Sequence, residues 1–360
     1  MQLLRAIKDF NFTSPVFGEG SIKSGKTYYT FGKFARDISS LNAGMILEEE
    51  HPVKSFSVQS LDDPPEGLRV LLIHSGGYGD TITIGILLTL LNRTYGIRFD
   101  VCGHHDKWAS ILKPMGFKGA WIPYPPEVEK LRDYAYVLTE LAAFASDPMA
   151  LLTDSPLKIL ADIFNVSLND HGIRYIVPEH VKGQSKLPPT NGLRIGLNFD
   201  SMGMVKSYPA ELQADLIKRL LLLDFELHFF GSRTLSPQID QDDARVHDHT
   251  GRTGILELAA FLDQMDFVLG VDSFVAHLAG ILGKRTLVLL STTGDNYFHH
   301  YPAVSALSSR IPCAPCFQPG NVCPQGHLHC LAFYHESIST DALLGIIIGE
   351  ITEMYGNQHG

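Results

Sequence analysis

Short, continuous apolar runs alternate along this chain with stretches whose apolar residues recur at helical spacing. From Leu68 to His74 the run is almost entirely Val, Leu and Ile, which is typical of a strand buried on both faces. A helical stretch follows at Thr81–Tyr95 and is closed by Gly96, a residue favoured just past a helix C-terminus. The alternation restarts after Lys182–Thr190, a polar, proline-bearing break that is typical of a linker. These patterns predict an α/β chain with two Rossmann-like, doubly wound parallel sheets.

The N-terminal residues follow a different pattern. Gly, Ser, Thr and aromatic residues surround short extended pieces such as Thr27–Phe31, which predicts a small β-rich extension. The pattern therefore divides the chain into an accessory segment (1–66), an N-terminal Rossmann-like domain (67–185), a C-terminal Rossmann-like domain (190–338) and a terminal helix and tail (339–360). In such sheets a ligand is expected at the carboxyl ends of the strands, between the two domains.

The same periodicities place the individual elements. Helices are predicted at Asp106–Met115, Glu127–Phe144, Pro156–Phe164, Pro209–Leu222, Ile255–Leu262, Ser273–Leu282 and Thr340–Met354. Strands are predicted at Ile97–Cys102, Ala120–Ile122, Arg194–Phe199, Glu226–Phe230, Phe267–Val271 and Thr286–Leu290. The stretch Ser291–Tyr334 has little periodic pattern and several prolines, so it is predicted to be a long irregular segment.

Composition and charge narrow the class of protein. The 360 residues are 45% hydrophobic, which provides apolar material for more than one core and excludes disorder. No apolar run approaches the roughly 20 residues of a membrane helix, and no secretory h-region follows the N-terminus, so we expect a cytoplasmic protein without a transmembrane segment. The net charge of −10, with no basic stripe, argues against a nucleic-acid partner.

A glycine loop, Ser75–Asp80, joins the first buried strand to its helix. Backbone N–H groups in such a turn can approach an anion at the helix N-terminus. Asp80 is predicted to cap the helix from Thr81, and a carboxylate there can also act as a general base. Gly77 and Gly79 have the spacing of a dinucleotide fingerprint, but position 82 is Ile, and only Asp100, about 20 residues on, favours a nicotinamide site.

Three loops of the second domain carry further candidate chemistry. Lys206 lies in a glycine-containing strand–helix loop, where it is placed to meet a phosphate or is simply a solvated lysine. Asp272 ends a buried strand and Ser273 opens a helix, so the hydroxyl and the first N–H groups could bind a diphosphate. His277 lies on the same helix face one turn further on, and either shares that site or belongs to the core. The polar loop His249–Thr253 adds another helix N-terminus.

Four of the five cysteines fall within 18 residues, at Cys313, Cys316, Cys323 and Cys330. Thiolates at this density can hold a structural zinc or iron ion, with His327 or His329 as substitutes for a cysteine. The alternative is a reduced loop without a metal. A catalytic role is not expected, because four protein ligands leave no open coordination position.

These pieces together resemble glycosyltransferase family 9, the ADP-heptose:lipopolysaccharide heptosyltransferases. The resemblance runs from about Leu68 to the C-terminal helix and rests on Gly79-Asp80, Lys206-Ser-Tyr-Pro209, Thr250-Gly251, Asp272-Ser273-x-x-x-His277-Leu-Ala and the late cysteine cluster. The chain departs from the family pattern in two places: Phe274 stands where members usually have Gly, and Tyr208 replaces the usual Trp.

The resemblance implies a GT-B arrangement of two facing Rossmann-like domains. It also implies an inverting transfer of a sugar without a catalytic metal, with heptose as the expected sugar. By position, Asp80 corresponds to the base that activates the acceptor and Lys206 to the phosphate-binding lysine. The residues implied in donor binding are Gly79, Thr250, Gly251, Asp272, Ser273 and His277. The implied partners are a nucleotide-sugar donor and a glycan acceptor such as lipopolysaccharide core, which leaves room for peripheral membrane association.

The residues agree with that mechanism, because lysine and helix N-termini can stabilise a leaving diphosphate where no Asp-x-Asp metal pair occurs in these loops. Two other classes stay open. One is an NAD-type oxidoreductase that uses the Gly77 and Gly79 loop with Asp100, and the other is a non-catalytic, metal-stapled nucleotide-binding module. Binding of ADP without binding of NAD would favour the transferase over the oxidoreductase. Transfer of the sugar would favour the transferase over the non-catalytic module.

Overall fold

The computed structural model describes residues 1–14, 16–47, 54–55, 61, 64, 67–139, 141, 151, 153–169, 171–232, 243–309, 311–317 and 323–356. The chain forms two compact units. One comprises Met1–Ala145 with Leu160–Gly172, and the other comprises Ser146–Ile159 with Ile173–Gly360.

The described residues of the first unit form three sheets. Its elements are β1 (Gln2–Ala6), β2 (Phe10–Ser14), β3 (Gly18–Ile22), β4 (Thr27–Thr30), α1 (Gly32–Ser40), β5 (Gly44–Leu47), β6 (Lys54–Ser55), β7 (Arg69–Ile73), α2 (Tyr78–Tyr95), β8 (Arg98–Cys102), α3 (His105–Lys107), β9 (Trp121–Ile122), α4 (Val128–Leu131) and β10 (Tyr136–Thr139). Helix α5 (Pro156–Ile163) follows along the chain.

The N-terminal extension is antiparallel, as its sequence predicts. Strand β1 lies between β4 and β5, and β2 pairs with β3 in a hairpin. Aromatic side chains attach it to the rest of its unit, because Phe17 stacks on Tyr124 with ring centroids 3.6 Å apart and Phe34 meets the same ring edge-on. Tyr124 follows β9, so the extension packs on the loop after a strand of the parallel sheet.

The parallel sheet of this unit has the order β6-β10-β7-β8-β9. Helix α2 is buried along most of its length, and Gly85 allows Leu112 and Met115 to approach it, since a Cβ at Gly85 would lie 2.8 Å and 3.0 Å from their side chains. The helix predicted over Glu127–Phe144 is wrong where the structure describes it: among residues 127–139 and 141 the α-helix covers only Val128–Leu131, and Tyr136–Thr139 is a strand beside β7. The rest of the predicted range lies outside the described residues. The short run Tyr-Val-Leu-Thr fits both periods, and pairing in the sheet decides between them.

Where the structure describes the second unit, its strands form one sheet. Its elements are α6 (Glu179–Gln184), β11 (Arg194–Asn198), α7 (Ala210–Leu222), β12 (Glu226–Phe229), β13 (Val246–Asp248), α8 (Ile255–Leu262), β14 (Phe267–Val271), α9 (Phe274–Leu282), β15 (Thr286–Leu290), β16 (Val304–Ser308) and α10 (Thr340–Gly356).

This sheet is parallel, with the order β13-β12-β11-β14-β15-β16, which is the doubly wound order that the repeating pattern predicts. Its core joins strand residues to the C-terminal helix, with Leu343 and Ile347 of α10 buried against Phe229 and Phe333. The prediction of an irregular Ser291–Tyr334 segment is wrong in part, because β16 extends the sheet within it. Strand β16 is half-buried throughout, so its sequence lacks the apolar run of a central strand.

No helix in the described part of the chain is both long enough and apolar enough to cross a bilayer.

Candidate active site

The loop between β7 and α2 places Asp80 at the N-terminus of the longest helix of the first unit. The helix begins at Tyr78, with Gly77 as the N-cap residue. The prediction that Asp80 is the N-cap is therefore wrong, because Asp80 is the third helical residue. Its Oδ2 accepts a hydrogen bond from the Gly77 N–H at 2.7 Å. This is the carboxylate half of a capping box. Gly79 lies beside it in the same helical turn.

Gly76 lies close to both the Asp80 and the His74 side chains. A Cβ at Gly76 would lie 2.9 Å from the Asp80 Cβ and 2.7 Å from the His74 Cε1, so a side chain there would displace one of the two groups. His74 is buried, and its Nε2 bonds the Thr81 hydroxyl at 2.9 Å. The Thr81 hydroxyl itself donates to the Gly77 carbonyl, so His74 donates through Nε2–H. Burial lowers the pKa of His74 to about 4, with Lys107 lowering and Asp80 raising it.

Lys107 supports the loop from α3. Its ammonium donates to the Gly76 carbonyl at 2.5 Å, and a second carbonyl, that of Val16, lies 3.4 Å away. Burial lowers the pKa of Lys107, and the Asp80 carboxylate opposes that shift. The cation therefore lies within electrostatic reach of Asp80. The sequence does not predict Lys107 as a site residue, because nothing in its local pattern shows that its side chain contacts Gly76, 31 residues earlier in the chain.

Asp100 does not fit the nicotinamide alternative. It lies in the middle of β8, rather than at a strand end, and is almost entirely buried. Its two oxygens accept hydrogen bonds from the Arg69 guanidinium at 2.7 Å, the Tyr134 hydroxyl at 2.8 Å and the Ala120 N–H at 2.6 Å. A carboxylate with three internal donors is a structural group and is not presented to a ribose hydroxyl.

In the second unit, the carboxyl ends of adjacent parallel strands lie along one edge of the sheet. Lys206 lies in a 3₁₀ turn after β11, and its Nζ donates to the Asp272 Oδ2 at 2.7 Å. Asp272 follows β14 and also accepts a hydrogen bond from the Thr293 hydroxyl at 3.1 Å. Burial raises the pKa of Asp272, but the Lys206 ammonium outweighs it and holds that pKa below the usual range. The structure thus brings together two residues that the sequence predicts separately.

Ser273 occupies the N-cap position of α9 and keeps an extended backbone. Its hydroxyl does not cap the helix but donates to the Asn198 Oδ1 at 2.5 Å. The Asn198 amide donates in turn to the Asp200 Oδ1 at 2.9 Å. The first N–H groups of α9 are therefore not capped by Ser273, which suits the predicted role of this helix terminus in binding an anion.

The Thr250-Gly251 turn follows β13 at the same edge of the sheet. The Thr250 N–H and hydroxyl both donate to the Asp248 Oδ1, at 2.9 Å and 2.6 Å. Gly251 has a φ of +65°, and its N–H donates to the carbonyl of Gly231, two residues after the neighbouring strand β12. This positive φ explains the glycine in the sequence.

His277 is buried one turn into α9, and its Nδ1 lies 3.1 Å from the Tyr301 hydroxyl. Its ring packs on Phe298 at 4.6 Å. His277 also contributes to the lowered pKa of Asp272, so it acts on the site through that carboxylate.

The four clustered cysteines line one cavity of about 170 Å³, together with Val205 and Thr292. All four are free thiols. Burial raises the pKa of Cys330, and the other three thiols raise it further, which places them within electrostatic reach of one another. The cluster lies against the Lys206 turn, because the Cys330 N–H donates to the Val205 carbonyl at 3.3 Å and His329 contacts the Ser207 carbonyl at 3.2 Å.

Three further residues complete the edge of the second sheet without having been predicted: Asn198, Asp248 and Thr293. Asn198 and Asp248 are the last residues of β11 and β13. A polar residue at the end of an apolar strand is the signal that could have found Asn198. The Asp-x-Thr-Gly spacing, which is typical of an Asx turn, could have found Asp248.

No curated protein matches this chain by sequence. The family model for glycosyltransferase family 9 (heptosyltransferase) matches residues 184–327, which lie in the second unit. Over these residues the chain is similar to glycosyltransferase family 9. The resemblance drawn from its motifs is therefore confirmed, and the family match includes the Lys206, Thr250 and Asp272 loops as well as most of the cysteine cluster.

Solved structures of family 9 share this fold. ADP-heptose lipopolysaccharide heptosyltransferase II from E. coli is 15% identical, with a TM-score of 0.58 over 80% of this chain and 100% of the other. The iron-containing dodecameric glycosyltransferase TibC from enterotoxigenic E. coli is 13% identical, with a TM-score of 0.61 over 94% and 87%. The E. coli heptosyltransferase WaaC with ADP is 15% identical, with a TM-score of 0.51 over 79% and 100%. These neighbours are GT-B glycosyltransferases, which confirms the predicted fold class.

Proposed function

We propose that this chain is an inverting glycosyltransferase that moves a heptose from an ADP-heptose-like donor to a glycan acceptor. The observation that carries the proposal is the arrangement of Lys206, Asp272 and Ser273 at the strand ends of a unit that matches family 9. A partly exposed lysine beside a helix N-terminus that Ser273 does not cap is suited to a diphosphate, because both supply positive charge without a metal.

The choice of donor is supported by what related folds bind. The solved complex of TibC contains ADP-D-β-D-heptose, and that of WaaC contains ADP. In this chain the diphosphate would lie between the Lys206 ammonium and the first N–H groups of α9, and Thr250-Gly251 would contribute from the adjacent strand end. Gly79 and His277 complete the proposed donor residues, His277 through Asp272.

The proposed mechanism is a single displacement. Asp80 accepts the proton of an acceptor hydroxyl while that oxygen forms a bond to the anomeric carbon of the sugar. The bond from that carbon to the diphosphate oxygen breaks on the opposite face, and ADP leaves with the electron pair. Lys206 and the α9 terminus stabilise the charge that develops on the leaving group, so catalysis proceeds without a metal cofactor.

The proposed acceptor is lipopolysaccharide core or a similar glycan, in line with the family resemblance. Such an acceptor would bring the protein to a membrane surface as a peripheral partner. The proposed displacement requires only a nucleophilic hydroxyl on the acceptor.

We propose in addition that the cysteine cluster binds one structural zinc or iron ion. The fit rests on four free thiols around one small cavity and on the softness of thiolate ligands, which suits both metals. TibC is an iron-containing protein. In this chain the residues that would hold the ion are Cys313, Cys316, Cys323 and Cys330. Because this loop bonds the Val205 and Ser207 carbonyls, the ion would fix the turn that carries Lys206.

Thermal shift against a panel of nucleotides and nucleotide sugars tests the donor first. A ligand that binds only the native state raises the melting temperature. We expect ADP and ADP-heptose to raise it and NAD to leave it unchanged, and transfer to a glycan acceptor or slow hydrolysis of the donor to follow. A rise with NAD alone would favour the oxidoreductase, and ADP binding without transfer or hydrolysis would favour a binding module.

A further inference from the structure

A second cluster of metal-ligating side chains lies on one face of the β12–β13 pair, away from the cysteines. Glu226 and His228 alternate along β12, so their side chains share a face of the sheet. His228 pairs in register with His247 of β13, which places the two imidazoles side by side on that face. Strand β13 is the edge of the sheet, so the cluster joins the edge to its neighbour.

Three ligand atoms of this cluster already converge. The Glu226 Oε1 lies 2.9 Å from the His228 Nε2 and 3.4 Å from the His247 Nε2, and all three atoms lie within 4.8 Å of one another. Ligands about 2.0–2.1 Å from a tetrahedral metal are about 3.3 Å from each other. The distance from Glu226 to His247 already has this length, and the distance from Glu226 to His228 is about 0.4 Å shorter.

The imidazoles differ in their freedom to adjust. Their rings stack with centroids 4.5 Å apart and 23° between planes, so one ring must turn before both nitrogens point at a common ion. His228 is fully buried, whereas 36% of the His247 side chain is exposed, so His247 is the ring that can turn. The remaining nitrogen of His228, Nδ1, lies 3.1 Å from the His249 Nε2. A hydrogen bond at the far nitrogen is what orients a metal-binding histidine in other proteins.

The same atoms also admit a simpler arrangement, in which both histidines donate to the Glu226 carboxylate. The Arg194 Nε lies 3.4 Å from that carboxylate oxygen and contributes a positive charge that opposes a cation. The contact is long, and a carboxylate has a second oxygen and further lone pairs to accept from Arg194. The choice between the two arrangements is therefore a question of metal affinity, which a direct titration answers.

We propose that Glu226, His228 and His247 bind one divalent transition-metal ion, with Zn²⁺ as the first candidate. Two imidazoles and one carboxylate favour such an ion over Mg²⁺ or Ca²⁺, which prefer oxygen ligands. Three protein ligands leave a coordination position for water or another small ligand. The ion would clamp β13 to β12 immediately before the Thr250-Gly251 turn.

The test is zinc titration of the full-length chain, expressed without a histidine tag and first stripped of metal. His247→Gln removes the ligand at the half-exposed position, and His180→Gln, at an exposed histidine of the same unit, is the matched control. We expect His247→Gln to bind one equivalent of zinc fewer than the unmodified chain and His180→Gln to bind the same number. Any equivalent held by the cysteines stays in both variants, where Co²⁺ substitution identifies it by its thiolate charge-transfer absorption.

Equal stoichiometry in His247→Gln and the unmodified chain would overturn the proposal. X-ray absorption at the zinc edge gives a second measurement on the same proteins. Imidazole scattering that is present in the zinc-loaded unmodified chain and reduced in His247→Gln supports the site, whereas a spectrum with sulfur ligands alone, or one that is the same in both proteins, overturns it.

Discussion

Lys206 and Asp272 are 66 residues apart in the chain, and their side chains form an ion pair with Nζ 2.7 Å from Oδ2. Asp272 is almost fully buried, whereas a quarter of the Lys206 side chain is exposed. The lysine is therefore held by its buried partner while part of it faces outward. A diphosphate that binds here meets an ammonium whose position is already fixed, which reduces the entropic cost of binding.

Lys206→Ala is expected to weaken ADP binding by about one to two decades and adenosine binding far less, because a charge-assisted contact to phosphate contributes about 1.5–3 kcal/mol. Calorimetric titration with both ligands measures the difference. Lys218→Ala, at an exposed lysine of α7, is the control and should bind both as the unmodified chain does. Equal losses for ADP and adenosine would place the ammonium away from the phosphates.

The same substitution leaves the buried Asp272 carboxylate without its cation, at a cost of about 3 kcal/mol in the free energy of unfolding. The double variant Lys206→Met with Asp272→Asn removes both charges, so it should recover most of that stability and still bind ADP weakly. Recovery of stability together with ADP affinity would show that Lys206 acts only through the fold.

Asp80→Asn is expected to lower the rate of transfer by about 10² to 10⁴, the range that one general base contributes. Asn can still accept the hydrogen bond from Gly77, so the melting temperature and the Kd for ADP should change little. Asp106→Asn, an exposed carboxylate in the first turn of α3, is the matched control. Near-normal turnover in Asp80→Asn would reduce Asp80 to a helix cap.

Gly76→Ala is expected to lower kcat/KM by up to about a hundredfold, because the new Cβ displaces the Asp80 or His74 side chain by a fraction of an ångström or more. Gly183→Ala in α6, where a Cβ meets nothing within 4 Å, is the control for the effect of adding a methyl group. Steady-state kinetics with the donor at saturation separates a loss in kcat from one in KM. Unchanged kinetics in Gly76→Ala would mean that the position of Asp80 does not matter.

Stability is expected to fall as the pH is lowered from 6.5 to about 4, in part through His74. Its pKa is lowered from 6.5 to about 4 in the folded chain, so between these values the unfolded chain binds more protons. The contribution of His74 is thus complete above pH 6.5 and declines by about 1.4 kcal/mol per pH unit below it. Urea unfolding at a series of pH values should give a shallower dependence for His74→Gln, which can still donate to Thr81. An identical slope in both proteins would contradict the burial of a neutral imidazole.

Cys316→Ser is expected to lose one zinc or iron ion per chain and to lower the melting temperature. Elemental analysis of the purified, untagged protein measures the metal. Cys102→Ala, at a buried cysteine of the other unit, should keep the metal in full. Because the cysteine loop contacts the Lys206 turn, ADP affinity should fall only moderately in Cys316→Ser. A metal-free unmodified protein with four titratable thiols would contradict this site.

Local patterns sufficed to predict most of this fold and the identity of the candidate site residues. Leu68–His74 and Phe267–Val271 are continuous apolar runs, and such runs mark central strands of a parallel sheet because both faces are covered. Glycines with a positive φ, such as Gly96 and Gly251, mark the turns that only they can form at low cost. Asp272 was found because it directly follows a strand, and Asp80 and Lys206 because they lie between a predicted strand and the predicted helix after it.

Only the tertiary structure decided which of these residues meet. The pairing of Lys206 with Asp272, the support of Gly76 by Lys107 and the internal use of Asp100 all join distant parts of the chain, and no local periodicity encodes them. The same holds for the strand Tyr136–Thr139. Its four residues fit a helix equally well, and only the pairing with β7 makes them a strand. Local sequence determines the local conformation and its chemistry, whereas contacts over long separations depend on how all the elements pack at once.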